Sequence, residues 1–221
     1  MSEFRFTQAG VFVQGEVSLR RKHSFSKQHL LAAQYFATTA QSIENAHPGE
    51  KEFARHRAYV TGAILSAAAF LEASINELFH EAENREKEKV PSFDDATVAR
   101  LAKIWGDIEF KSILLKYQTV LEVAGGKRFE QDRAPYDDAE SLIRLRNTLM
   151  HYKPEWDDEQ GRHHNLRERL EKKFPLNPLV PRGSSWFPHL CLGAGCAQWA
   201  THAVASFSAE FCVRLKIPSR H

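Results

Sequence analysis

The spacing of apolar residues changes near position 25. Before it, residues 4–19 (FRFTQAGVFVQGEVSL) alternate apolar and polar side chains around two glycines, a pattern typical of a short strand or hairpin. We expect Phe12, Val13 and Val17 to pack on the body of the protein without forming a sheet core. The sequence therefore predicts an N-terminal arm or short hairpin over residues 1–24.

After this point the spacing is helical. Apolar residues recur every three to four positions in segments that are bounded by proline, glycine or capping residues. The predicted helices cover about 25–46, about 52–89, a segment after Ser92 or Asp94 as N-cap, 107–123 with Gly125 and Gly126 at its end, 135–152, and 196–215. The charged stretch from about 164 allows one further short helix. The predicted fold is all-α, a bundle of about five to six helices over residues 25–221.

One stretch interrupts this bundle. Residues 174–189 are rich in proline, glycine and serine, which favour turns and irregular backbone. We expect a surface loop there that contributes nothing to the core.

Composition narrows the class of protein only moderately. The chain has 221 residues, 43% hydrophobic residues and a formal net charge of +2, which suits one soluble domain and is less basic than most duplex-DNA binders. The longest strongly apolar run, AILSAAAFL at residues 63–71, is too short to span a bilayer. The first residues, MSEFRFTQAG, do not resemble a secretory signal. We expect a cytoplasmic protein with no membrane passage.

Cysteine and histidine suggest no metal or cofactor site. The three cysteines, Cys191, Cys196 and Cys212, are too few and too irregularly spaced for a zinc site or a disulfide framework, so we expect buried free thiols. Most of the eleven histidines lie among polar residues and are expected to be solvated. These are His47, His56, His163, His164, His202 and His221.

The fifth predicted helix carries the candidate chemistry. At about 100° per residue, Leu142, Leu145 and Leu149 share an apolar arc, and Arg146 falls on its edge. A second flank contains Ile143, Asn147, Met150 and His151. Such a helix has two faces, one for the bundle and one for another contact.

An arginine at the edge of a core needs a partner. Glu72 and Asn76 lie one turn apart on the second predicted helix, and either could pair with Arg146. From helical geometry alone, a surface salt bridge and a snorkelling side chain explain Arg146 and His151 better than a functional site does.

The stretch RNTLMH, Arg146 to His151, resembles the R-x4-6-H signature of the HEPN superfamily (higher eukaryotes and prokaryotes nucleotide-binding), here with Asn147 directly after the arginine. Tyr152 and Pro154 resemble the MHY-x-P ending frequent in prokaryotic members. FLEASINELF, residues 70–79, resembles the long second helix of such proteins. The resemblance covers about residues 25–215.

This resemblance implies a metal-independent endoribonuclease that acts as a homodimer, with the two motif helices lining a shared cleft. It places Arg146 and His151 in the catalytic positions and Asn147 in support, and it implies no cofactor. RNA is the implied substrate, and a toxin or phage-defence enzyme of this kind needs an antitoxin or another regulatory protein to restrain it. The candidate RNA contacts are Arg144, Tyr152 and Lys153, with Lys127 and Arg128 as further basic residues.

These residue types suit metal-free cleavage of RNA. An imidazole with a pKa near ~6.5 can take or give a proton, and a guanidinium can stabilise the charge that grows on the phosphate. Attack by the ribose 2′-hydroxyl restricts cleavage to RNA, because DNA lacks this group.

Two other hypotheses stay open at this point. The chain could be a non-catalytic HEPN-like module that binds a nucleotide, RNA or a protein through the same face. It could also be an all-α scaffold unrelated to nucleic acid.

Overall fold

The fold was obtained as a computed structural model, which describes residues 6–8, 11–13, 24–46, 50–84, 93–153, 161 and 163–218. The body is all-α, as predicted, and its described part contains seven α-helices where about five to six were expected. They are α1 (Ser26–Asn45), α2 (Glu50–Glu83), α3 (Asp95–Ile108), α4 (Ile113–Val123), α5 (Tyr136–Met150), α6 (His164–Leu170) and α7 (Ala194–Leu215). A π-helical turn, Trp186–Leu190, precedes α7.

Two short strands lie in the arm. β1 (Phe6–Gln8) pairs antiparallel with β2 (Val11–Val13), with Phe6 opposite Val13. The packing of the arm's apolar side chains on the body stays a prediction. Val17, and the charged end predicted for the second helix beyond residue 84, lie outside the described residues.

Helix α2 is the centre of the bundle. The helices α1, α3, α5 and α7 pack around it, and Ile64, Phe70 and Ile75 are fully buried there. By length and composition alone, Glu52–Glu83 could cross a membrane. Its central position accounts for the same composition, because an element surrounded by other helices is apolar on most of its sides.

The boundary between α3 and α4 differs from the prediction. The fourth helix was expected from Asp107, but α3 continues to Ile108 and α4 begins at Ile113. In one continuous helix, Leu101 and Ile113 would point about 120° apart. The turn between the helices lets both side chains reach the core, and it leaves Phe110 91% exposed.

The predicted helix caps are confirmed. Asp94 caps α3 by accepting a hydrogen bond from the Thr97 backbone N–H at 2.6 Å. At the end of α4, Gly125 has a positive φ of 72°, and the Gly126 N–H donates to the Leu121 carbonyl at 2.7 Å. This pattern is a Schellman cap, which favours glycine at the left-handed position.

The proline-rich loop corrects an expectation. Phe174, Trp186 and Phe187 are buried and belong to the core, although no core residues were expected there. The Asn177 side chain, also buried, donates to the Leu192 carbonyl at 2.9 Å. The amide side chain thus takes the place of the backbone N–H that would bond this carbonyl in regular structure. Loop composition predicts irregular backbone but does not predict whether that backbone is exposed.

His56 also differs from its prediction as a solvated residue, because it is fully buried. Its Nε2 lies 2.9 Å from the Glu44 carboxylate, which also accepts the backbone N–H of Ala194 at 2.7 Å. This carboxylate joins the end of α1 to the starts of α2 and α7.

The cysteine prediction is confirmed. Cys191, Cys196 and Cys212 are buried and form no disulfide. Burial and the neighbouring Cys191 raise the pKa of the Cys196 thiol well above its usual range, so this thiol behaves as a small apolar group.

Candidate functional site around Arg146 and His151

The site is built where α5 packs on α2. Leu142 and Leu145 of α5 are fully buried and fix the rotation of the helix against the core. Ile143, which was assigned to the second flank, is half-buried and packs against the core. Asn147 and Met150 remain exposed.

Arg146 has the acidic partner that its position requires. Its Nη2 lies 3.3 Å from Oε2 of Glu72, and its Nη1 donates to Oδ1 of Asn147 at 3.0 Å. The arginine and glutamate side chains keep 33% and 42% of their exposed area. The ion pair is therefore solvated and contributes little stability, while the guanidinium keeps further N–H donors for a ligand.

Asn76 does not bind Arg146, in contrast to the alternative proposed from the sequence. Its Oδ1 accepts a hydrogen bond from Nζ of Lys116 at 2.8 Å. Lys116 is only 3% exposed and lies over the Trp105 ring at 5.3 Å. Burial lowers the pKa of Lys116, and the nearby carboxylates of Glu72 and Glu109 partly oppose this shift.

Lys116 is thus a charged residue of the site that the sequence reasoning missed. A local signal for it exists, since Ile113, Lys116 and Val120 share one face of α4 and are all buried. With Arg146, it places a second cation close to the Glu72 carboxylate, from the side of α4.

His151 lies just beyond the last turn of α5. Its φ and ψ are −112° and 33°, and its backbone N–H still donates to the Asn147 carbonyl at 2.9 Å. This bond keeps His151 above Asn147 on one flank, as predicted, although the helix ends at Met150 and not at Tyr152. The imidazole is exposed and makes no hydrogen bond or ion pair with the described residues. It is therefore accessible to a substrate or to a second copy of the chain.

The candidate RNA contacts divide into two groups. Arg144 is exposed and pairs with Glu140 at 3.0 Å, and Lys153 is exposed two residues after His151. Lys127 and Arg128 do not join the site. They adjoin Phe129, which packs on Tyr136 at the first turn of α5, and the helix separates that turn from His151 by about 20 Å.

Tyr152 belongs to a cluster that was not expected. Its ring lies 6.4 Å from His163 and 6.0 Å from Phe187, and the His163 and Phe187 rings are 4.7 Å apart. His163 was predicted to be in a solvated turn, but it is half-buried here. Contacts between residues this far apart in sequence leave no periodic signal.

None of the three comparisons with known proteins, by family model, by sequence or by solved structure, gave a match. The resemblance to HEPN proteins thus stays a prediction from the sequence.

Proposed function

We propose that the protein is a metal-independent endoribonuclease of the HEPN type, which cleaves RNA in a cleft formed by two copies of the chain. One observation carries this proposal. Glu72 and Asn147 hold the guanidinium of Arg146, and Asn147 lies one turn before His151, whose exposed imidazole leaves the end of α5. A phosphate-binding cation and a proton-transferring group then lie about 7–8 Å apart along the helix axis.

The chemistry divides between these two residues. Arg146 binds the scissile phosphate and stabilises the charge of the pentacovalent transition state. His151 takes the proton of the 2′-hydroxyl or protonates the departing 5′-oxygen. Because the nucleophile belongs to the substrate, the products are a 2′,3′-cyclic phosphate and a free 5′-hydroxyl.

The second copy supplies the same groups from the opposite side of the cleft, since a two-fold contact brings identical patches together. Two histidines then meet the substrate, so that one can act as base and the other as acid. We further propose that the enzyme acts in the cytoplasm as a toxin or a phage-defence factor, and that an antitoxin or another regulatory protein restrains it.

The decisive experiment compares histidine variants. His151→Ala should lower RNA cleavage by about a hundredfold or more, the usual scale for loss of one acid–base group. His202, an exposed histidine on α7, supplies the control, and His202→Ala should cleave normally. Cleavage should persist in EDTA, and the products should end in 2′,3′-cyclic phosphate. If His151→Ala cleaves as fast as the wild type, the proposal is wrong.

The Arg146–Glu72 ion pair favours a second candidate, a non-catalytic module that binds a nucleotide, RNA or a protein. In that case Arg146 is a structural residue that Glu72 neutralises. The two candidates separate in Glu72→Gln. Because the solvated pair contributes little stability, Glu72→Gln should melt at nearly the wild-type temperature in both cases. A phosphate-binding Arg146 predicts that the rate of RNA cleavage changes in this variant, whereas a non-catalytic Arg146 predicts that it does not.

A further inference from the structure

Arg57 of α2 is a half-buried cation with few partners. Its Nη2 donates to Nδ1 of His189 at 2.9 Å, and its guanidinium carbon lies 4.9 Å from the centre of the Phe53 ring. Its Nε is buried and has no hydrogen-bond acceptor in the part of the chain that the structure describes. Among the described residues, one acceptor thus serves a group with five N–H donors.

The other half-buried arginines are satisfied differently. Among the described residues, Arg57, Arg146, Arg169 and Arg214 are half-buried, and the last three each have a carboxylate within 3.3 Å. These pairs are Arg146 with Glu72, Arg169 with Asp137 and Glu140, and Arg214 with Glu210. Arg57 has no such ion pair with a described residue. A desolvated guanidinium without an anion is unfavourable, which makes it a candidate anion-binding group.

The surroundings of Arg57 suggest which anion it binds. Burial lowers the pKa of Arg57. The ring of Tyr152 lies 6.0 Å from the ring of Phe187, two residues before His189, and so lies close to the Arg57–His189 pair. Tyr152 directly follows His151, and its side chain is 45% exposed. Because Nδ1 of His189 accepts from Arg57, the imidazole of His189 is neutral there and carries its proton on Nε2, a second donor.

We propose that Arg57 and His189 bind a phosphate group of single-stranded RNA beside the scissile phosphate, and that a neighbouring base stacks on the ring of Tyr152. The choice of RNA as the ligand rests on the proposed function. The guanidinium contributes the charge and the planar pair of donors that phosphate oxygens accept. The tyrosine ring offers a face on which any base can stack.

The test measures binding apart from cleavage. The probe is a short fluorescent oligonucleotide with 2′-fluoro sugars, which cannot be cut by 2′-hydroxyl attack, and its affinity is followed by anisotropy at several salt concentrations. Arg57→Gln keeps a donor for His189 and removes the charge. Arg55→Ala is the matched control, because Arg55 is an exposed neighbour on α2 that pairs with Glu52 at 3.2 Å.

We expect Arg57→Gln to weaken binding about tenfold. The slope of log affinity against log salt should fall by about 0.7, the value for one phosphate contact on a single strand. Arg57→Lys should restore part of the affinity and Tyr152→Leu should weaken binding, while Arg55→Ala should change neither affinity nor slope. Circular dichroism and thermal melting should show that each variant is folded.

The outcomes separate this inference from the proposed function. If Arg57→Gln melts at a lower temperature but binds the probe as tightly as the wild type, a carboxylate of the chain itself is the partner of Arg57 and the inference is wrong. If affinity depends on Arg57 but the wild type cleaves no RNA, the inference holds and the nuclease proposal fails. If His151→Ala abolishes cleavage while Arg57→Gln leaves affinity and slope unchanged, the nuclease proposal holds and the inference about Arg57 is wrong.

Discussion

Glu77 of α2 supplies the N-terminal cap that α1 lacks in its own sequence. Phe25 occupies the N-cap position and provides no side-chain cap. The Glu77 carboxylate instead accepts hydrogen bonds from the backbone N–H groups of Phe25 and Ser26 and from the hydroxyls of Ser24 and Ser26, all within 2.9 Å. Burial alone would raise the pKa of Glu77, but these four hydrogen bonds lower it.

We predict that Glu77→Gln lowers the free energy of unfolding at neutral pH by about 1–2 kcal/mol, because the cap loses its charge. Urea denaturation measures this difference. Glu122→Gln is the control, since Glu122 is 67% exposed and lies 3.6 Å from Arg128. That substitution should change the unfolding free energy by less than about 0.5 kcal/mol.

The pH dependence follows from the direction of the shift. A carboxyl group whose folded pKa lies below its unfolded pKa stabilises fully above the unfolded value and loses this effect as the pH falls through the folded value. The difference between wild type and Glu77→Gln should therefore shrink below about pH 4. A difference that stays constant under acid would show that the glutamine fails through packing and not through charge.

Sequence patterns predicted some residues of the site and missed others for one physical reason. The position of Arg146 on the edge of an apolar arc indicated that it needed a partner, because the arc is a local property of α5. Lys116 lies on the buried face of α4, but nothing local indicated its partner, and Arg57 and His56 gave no signal at all. The groups that satisfy Lys116 and Arg57 lie 40 and 132 positions away, and only the assembled bundle brings them together.

At the scale of the element, helices with local signals were predicted well. Apolar periodicity and capping residues located α1, α5 and the start of α2 to within a few residues. The boundary between α3 and α4 was missed because both segments are helical and the turn between them is set by the core. Burial of the loop before α7 was missed for the same reason.

Two glycines test the difference between helix interior and helix cap. Gly125→Ala should lower the unfolding free energy by about 1–2 kcal/mol, because its φ of 72° is unfavourable for alanine. Gly106→Ala should raise it by about 0.5–1 kcal/mol, because this glycine lies inside α3 with nothing near its Cβ position. Denaturant midpoints of the two variants should move in opposite directions. A shift of the same sign in both would contradict the assigned cap.

Helix α6 has seven residues, too few for a stable isolated helix. It is attached to α5 through Arg169, whose Nη2 lies 2.7 Å from both Asp137 and Glu140. We predict that Arg169→Ala increases hydrogen exchange in residues 163–173 and costs about 1 kcal/mol.

The control for this prediction lies in the same helix. Arg167 pairs with Glu171 at 3.2 Å, a local contact four residues along the chain. Arg167→Ala should therefore leave exchange in α6 unchanged. Equal exchange in both variants would mean that Arg169 is not needed, and that the buried Leu166 and Leu170 or the pair of Lys173 with Asp137 at 2.8 Å hold α6 in place.

At the scale of the molecule, packing in the bundle accounts for the apolar residues on one face of α5 but not for those on the other face. Leu142 and Leu145 are buried against the core, so the first face was predictable from its leucines. On the opposite flank, Met150 is 58% exposed beside the exposed His151. A contact of this flank with a second copy stays a prediction, because the periodicity of one chain does not distinguish a dimer face from a bundle face when both carry apolar residues.

We predict that this flank forms a homodimer and that catalysis requires it. Sedimentation at micromolar concentration should give twice the 25.3 kDa monomer mass. Met150→Asp should shift the equilibrium to monomer and lower RNA cleavage in parallel, because a buried unpaired carboxylate disfavours the contact. Val213, 68% exposed on α7, is the matched control, and Val213→Asp should change neither mass nor cleavage. A dimer that survives Met150→Asp but dissociates in Val213→Asp would place the interface on α7 and separate the two copies of His151, so that no shared cleft could form.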